Sequence, residues 1–191
     1  MARAMTTVQN ANTIRFGSAK FEVGEDEENL IDLGAMRGIV FEETWDEVQV
    51  QSDNAGVIHV GINNHMAAIE GELMEINLET LATIRGGIDT VEQIAEDPEE
   101  NQNEAVRLLS GGISTFQPRV ARITNYDDQN RKFQITIFKA TPESGLNITF
   151  PEADSEDPAM TPIRMNGTLD VERAHGEQLF EIIDQQGVSS S

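Results

Sequence analysis

The side chains that could do chemistry are few, and their spacing serves no familiar reaction. His59, His65 and His175 lack the helical His-x-x-x-His spacing that sets two imidazoles on one metal. The chain also has no Cys, which removes thiol catalysis, disulfides and thiolate-bound zinc together. Neither Gly86-Gly87 nor Gly111-Gly112 is followed by the Lys of a phosphate-binding loop, and no Ser sits in a Gly-x-Ser-x-Gly elbow. The acidic runs Glu25 to Glu28 and Glu152 to Asp157 offer hard oxygen ligands, but without the Asp-x-Asp-x-Asn-Gly order that wraps calcium, so they read as solvated loops. Paired carboxylates for glycoside hydrolysis would want aromatic sugar platforms, and aromatic residues make up only 5% of the chain. The pattern points away from an enzyme and implies no cofactor and no metal.

Composition narrows the classes further. The 191 residues carry 13 Lys+Arg against 34 Asp+Glu, a formal charge of -21. That balance opposes a protein that grips DNA, because such affinity comes from cations displacing counterions from phosphate. The opening Met1 to Gln9 has no apolar run, and no segment approaches the ~20 apolar residues of a bilayer span, so a soluble protein made in a cytosol, without membrane contact, is expected. Among the apolar residues, 18 Ile and 12 Val outnumber 10 Leu. β-branched side chains suit pleated, half-buried surfaces, and a mainly β domain spanning 1–191 follows.

The elements can be placed from punctuation and alternation. A polar arm over about 1–12 precedes short strands at Thr13 to Phe16 and Lys20 to Val23, and a short Ser-rich tail closes the chain. A long strand runs from Ile39 to Val50. Ile39, Phe41 and Trp45 share one parity there and Val48 and Val50 the other, which predicts a bulge near Glu47. Gln51 to Asn64 reads as a turn-rich connection to a second long strand, His65 to Ile76. Asn77 caps a helix whose Leu78, Leu81 and Ala82 face inward and which Gly86-Gly87 stops. Thr90 to Gln93 has capping-box spacing for another short helix, followed by an acidic loop. Strand signals return at Thr115 to Thr124, Arg131 to Lys139, Leu146 to Phe150, Ile163 to Val171 and Gln178 to Ile183. Eight to ten strands with one or two short helices predict an antiparallel β-sandwich or barrel.

Within that scaffold Glu42, Thr44 and Asp46 share a parity on the first long strand, as Glu70 and Glu72 do on the second. If the two strands pair, one sheet surface is acidic. Long regular strands without a catalytic constellation describe a building block, whose sheet edges can pair with copies of itself and be closed off in a ring.

The run from Gly38 to Trp45, through Ser52 to Gly56 and Asn63 to Ala68, then Glu75 to Leu81 and Ile84 to Gly87, with the ending Gly176 to Asp184, resembles the tail tube (major tail) proteins of tailed bacteriophages. The resemblance implies a homohexameric ring whose inner strands join into one barrel, with stacked rings forming the virion's tail tube for DNA ejection. It implies lumen positions for Glu42, Thr44, Asp46, Glu70 and Glu72, so that DNA passes through without specific binding. Inter-ring contacts would fall to the first dozen residues and to the connection holding Gln51, Asp53, Asn54, His59, Asn63 and Asn64. Leu78, Leu81 and Ile84 become candidates for helix contact between subunits, or simply cover their own sandwich. The partners implied are other tail proteins (tape measure, terminator, distal tail), with assembly in the host bacterial cytoplasm. The alternatives are another virion part (tail terminator, neck or decoration protein) or a calcium- or carbohydrate-binding β-sandwich.

Overall fold

The computed structural model describes residues 17–94, 105–112 and 115–185. The expected strand at Thr13 to Phe16, the N-terminal arm, most of the acidic loop and the Ser-rich tail lie outside them. The fold is mainly antiparallel β, as its composition predicts. One eight-stranded sheet contains β1 (Lys20–Gly24), β2 (Leu30–Asp32), β3 (Met36–Ser52), β4 (Gly56–Leu73), β7 (Arg119–Tyr126), β8 (Lys132–Pro142), β9 (Thr161–Gly167) and β10 (Phe180–Asp184). Its order is β2-β1-β7-β8-β9-β4-β3, with β10 added beside β8, and it does not close into a barrel within the chain. A separate ribbon joins β5 (Asp89–Ile94) to β6 (Ala105–Ser110).

Alternation decides which faces are buried. Phe21 and Val23 on β1, Ile135 and Ile137 on β8, Ile163 and Met165 on β9, and Ala67, Ile69 and Leu73 on β4 fill the core, each separated by residues of the opposite parity. The helix α1 (Leu78–Ile84) lies across it. Asn77 caps α1 as expected, its Oδ1 accepting from the amides of Glu79 at 2.9 Å and Thr80 at 3.3 Å. Gly86 ends it at φ 64°, where a Cβ would stand 2.6 Å from the Gln117 carbonyl, so only glycine fits the turn.

The structure corrects several boundaries. Thr90 to Gln93 belongs to strand β5, not to a second helix. Val91 opposes Leu108, and Leu108 packs against the core, a tertiary contact that outweighs the capping-box spacing. The Ile163 to Val171 alternation stops at Gly167, and Leu146 to Phe150 contributes an isolated bridge, Thr149 to Met160. The run Glu25 to Glu28 is not merely solvated. Arg119 reaches Glu25 at 3.1 Å, Arg122 reaches Glu27 at 3.6 Å, and Arg173 also pairs with Glu27 while lying over the Phe138 ring. These arginines pin the β1–β2 turn to β7 and to the segment after β9. The nearly buried Arg119 also donates to the Thr83 carbonyl at 3.2 Å, tying down the last turn of α1.

Candidate functional site

The element that stands apart from this core is the β3–β4 hairpin. β4 pairs with β9 only from Ala68 to Leu73, so among the described residues its first half, Gly56 to Ala67, has β3 as its one strand partner. β3 forms the sheet edge along its whole length. The nine residues from Thr44 to Ser52 carry the ribbon roughly 25 Å past its last fully supported pairs, at ~3.3 Å per residue. Both faces of this extension are exposed, and they present Trp45, Val48, Val50, Val57, Ile58, Val60, Ile62 and Met66 to solvent. An isolated two-stranded ribbon is marginal in water, and an uncovered apolar one is a template for pairing.

Register sorts the side chains, because directly opposed residues share a face. Between the pairs Thr44–Met66 and Asp46–Asn63, one residue of β3, Trp45, faces two of β4, Asn64 and His65. This is a β-bulge, with Asn64 in the left-handed region at φ 49° and its Nδ2 donating to Asp46 Oδ2 at 2.7 Å. The bulge therefore sits on β4 opposite Trp45, not at Glu47, and it switches the parity of β4 while β3 keeps its phase. One face carries Glu42, Thr44, Asp46, Val48 and Val50 from β3, with Glu72, Glu70, Ala68 and Met66 and then Asn63, Gly61 and His59 from β4. All five acidic-face candidates named from sequence are brought together on it. The other face holds Glu47 and Gln49 against Ile62 and Val60 beyond the bulge, and Phe41 and Ile69 in the core below it.

At the base of the acidic face sits a cation that sequence reasoning missed. Arg164 of β9 opposes Glu70, and its guanidinium reaches Glu42 at 2.7 Å, Glu143 at 2.8 Å and Glu70, with Asn166 Oδ1 at 3.2 Å. The bond to Glu42 first, then that to Glu70, raises its pKa above the ordinary arginine value, so its charge is held firmly. Arg37, opposite Glu72, adds a second cation and reaches Asp157 at 3.4 Å. The face is still acidic, but less so than its carboxylates alone suggest. Arg164 could be read as polar-face from the β9 alternation; what sequence hides is that β9 lies beside β4.

Other candidates move. Gln51 is the penultimate residue of β3, and Asp53 and Asn54 form the three-residue tip with Ala55, held by a 2.7 Å bond between Ser52 Oγ and Asn54 Oδ1. His59, Asn63 and Asn64 lie within β4 instead of a connection, because the Val57 to Ile62 stretch continues the ladder. Leu81 at 2% and Ile84 at 4% exposure are buried in the chain's own core, and the half-buried Leu78 packs against it. At the bulge, His65 Nε2 lies 2.6 Å from Glu43 Oε1, and its ring stands edge-on to Trp45 and Phe180 at 6.2 and 6.3 Å. The cavity between α1 and the β8–β9 connection holds about 30 Å³, room for a water or two. A wider groove of about 370 Å³ is open to solvent over Glu70, Glu72 and Arg164. Among the described residues no group of three or more His, Asp or Glu is arranged to hold a metal, and no helix is long and apolar enough to cross a membrane.

No established protein family matches the chain, nor does any curated protein. Solved structures do. The tube-terminating cap of the anti-feeding prophage superposes with a TM-score of 0.52 at 9% identity, over 95% of this chain and 99% of that one. The sheath/tube terminator of an extracellular contractile injection system (PVC), in its extended state, gives 0.50 at 12% identity, over 92% and 100%. Identities this low establish a shared fold, spanning essentially both chains.

Proposed function

We propose that this protein is a structural, ring-forming subunit of a phage-tail-like particle, acting at the end of its tube as a terminator. The observation that carries the reading is the β3–β4 hairpin. Among the described residues it projects two edges without strand partners and eight exposed apolar side chains, and it carries an acidic face beside them. A surface of this kind is costly to leave in water and is satisfied by edge pairing between copies. The whole-length likeness to two terminators supports this position in the particle over a place along the tube. Glu42, Thr44, Asp46, Glu70 and Glu72 would face the bore, where carboxylates repel a passing polyanion. Gln51, Asp53 and Asn54 at the hairpin tip, together with the first dozen residues, would meet the adjoining ring.

Electron microscopy of the purified protein tests this. Discrete rings that seat on the ends of tail tubes are expected. Protein that stays monomeric at every concentration and salt would end the proposal. The long hairpin equally suits a tube protein, and unlimited stacking of rings into tubes would favour that second reading.

A further inference from the structure

We propose that β10 is the receiving edge of the contact between copies, and that it takes strand β4 of a neighbouring subunit in antiparallel pairing with Ile62 opposite Ile182. This rests on the ring-forming reading above and names the surface that makes the ring.

Among the described residues the sheet contains an unfilled place. β9 and β10 follow one another along the same edge of β8: β9 ends at Gly167 opposite Ala140, and β10 resumes three positions further on with Phe180 opposite Ile137. β4 lies on the far side of β9, with Ala68 opposite Asn166. Carried past the end of β9, that register would set Asn64 opposite Phe180 and Ile62 opposite Ile182. Yet among the described residues β10 pairs with β8 alone and β4 leaves β9 at Ala68. The bulge at Asn64 and His65 stands where the ladder opens, and the Phe180 ring lies there 5.1 Å from the Phe41 ring and 6.3 Å from that of His65. Among the described residues the chain's own hairpin does not pair with β10.

At Phe180 and Ile182 the outer edge of β10 has no strand partner among the described residues. Gln185 donates to the Lys132 carbonyl and Phe138 to that of Leu179, so alternation directs the backbone groups of Glu181 and Ile183 toward β8 and those of Phe180 and Ile182 outward. Ile182 is half exposed. A second copy fits by direction as well as by length. β10 runs antiparallel to β4, so the β4 of a neighbour related by rotation, its tip pointing the same way, is antiparallel to β10 too. Pairing in the stated register lays Ile62 against Ile182 on one face. Eight half-exposed apolar side chains, at ~50 Å² each recovered from water, bring roughly 400 Å² from the hairpin alone, about half of what one partner contributes to a standard stable interface. Backbone pairing and the covered surface of β10 add to that.

The absence of native cysteine makes the test clean. Ile62→Cys and Ile182→Cys are prepared as separate chains, mixed, allowed to assemble and oxidised. A disulfide-linked heterodimer is expected, in amounts that follow ring formation. In parallel, Ile182→Pro removes only an outward-facing amide, so it should keep the monomer's melting temperature within a few degrees and abolish rings. Rings that form without the cross-link and tolerate Ile182→Pro would overturn the β10 assignment while leaving the ring-forming reading intact. A monomer-only cross-link in the chain bearing both cysteines would also overturn it, because the hairpin then folds back on its own sheet. Parent protein that forms no rings at all would sink both readings.

Discussion

Replacing Ile58, Val60 and Ile62 together with Thr probes whether the hairpin's apolar surface is an interface. In the single chain these side chains are 60%, 52% and 66% exposed, and none belongs to the core cluster. Changing them should leave the monomer's melting temperature unaltered within the ±0.5 kcal/mol of ordinary surface substitutions, while Thr preserves strand propensity. In a ring the same surface is buried. Full burial of such a side chain is worth about 1.5–3 kcal/mol, somewhat over half of that remains to be gained here, and Thr forfeits most of it, so each substitution costs about 1 kcal/mol per contact. Three together give about 3 kcal/mol, which weakens each contact more than a hundredfold at 1.4 kcal/mol per tenfold change. Sedimentation velocity across a concentration series reads this as a rightward shift of the midpoint for ring formation. A midpoint within threefold of the parent protein's would refute the reasoning. So would a large fall in the monomer's melting temperature, which would mean that these side chains already pack within the chain.

Raising salt should promote ring formation, because the -21 charge of each copy is screened more than the apolar contacts are weakened; light scattering that falls steadily with added salt would contradict this. Arg164→Gln should destabilise the monomer by about 1–2 kcal/mol, since Glu42, Glu70 and Glu143 are left together without their shared cation, and a urea midpoint equal to the parent's would remove that role. Reversing Asp46 and Glu72 to Lys tests the bore without disturbing the Arg164 cluster: particles should assemble but deliver their contents poorly, and normal delivery would take these residues off the bore. Lys139, 2.7 Å from Asp170, lowers that carboxyl's pKa by its hydrogen bond. A carboxyl lowered in the folded state stabilises above its unfolded value of about 3.9 and loses that contribution as pH falls through the folded value. The penalty of Asp170→Asn should therefore be full at pH 7 and shrink below about pH 4, and a penalty constant between pH 7 and 2 would exclude the pair as its cause.

The clearest sequence signals were those that local physics sets alone. Phe133, Ile135 and Ile137 alternate on β8 with Gln134 and Thr136, which are buried on the opposite face, and Asn77 with Gly86-Gly87 brackets α1 because caps and left-handed turns are local chemistry. The acidic face was legible in outline for the same reason: Glu42, Thr44, Asp46, Glu70 and Glu72 sit at period two. What escaped was set by neighbours. Val57 to Ile62 reads as a connection because among the described residues it has no strand partner but β3, and its alternation is diluted by Asn63-Asn64, the point where the bulge changes phase. Thr90 to Gln93 carries a helix-start spacing that pairing with β6 overrides. Arg164, Arg119 and Arg173 act across strands and turns distant in sequence, so their partners, including the acids at Glu25 and Glu27, emerge only once the sheet order is known.

The charge and the apolar ribbon oppose each other in a way that suits controlled assembly. Exposed edges as long as β3 invite indiscriminate pairing, and proteins blunt them with charge and bulges. Here Glu43, Asp46, Glu47 and Asp53 are interleaved with the apolar positions, and a bulge at Asn64 interrupts the regular ladder. Two free copies therefore meet with like charges foremost, and their attraction is short-ranged and direction-dependent. A contact in which one copy's β4 meets another's β10 uses two different surfaces, so it cannot close as a pair and must continue around a ring or along a filament. Each added copy brings its acidic face to the same side, so repulsion grows with every member while each apolar contact stays constant. In the proposed ring, the rotation that closes the chain of contacts would add a last apolar junction that an open arc lacks, so closure, more than any single contact, would favour the assembled state.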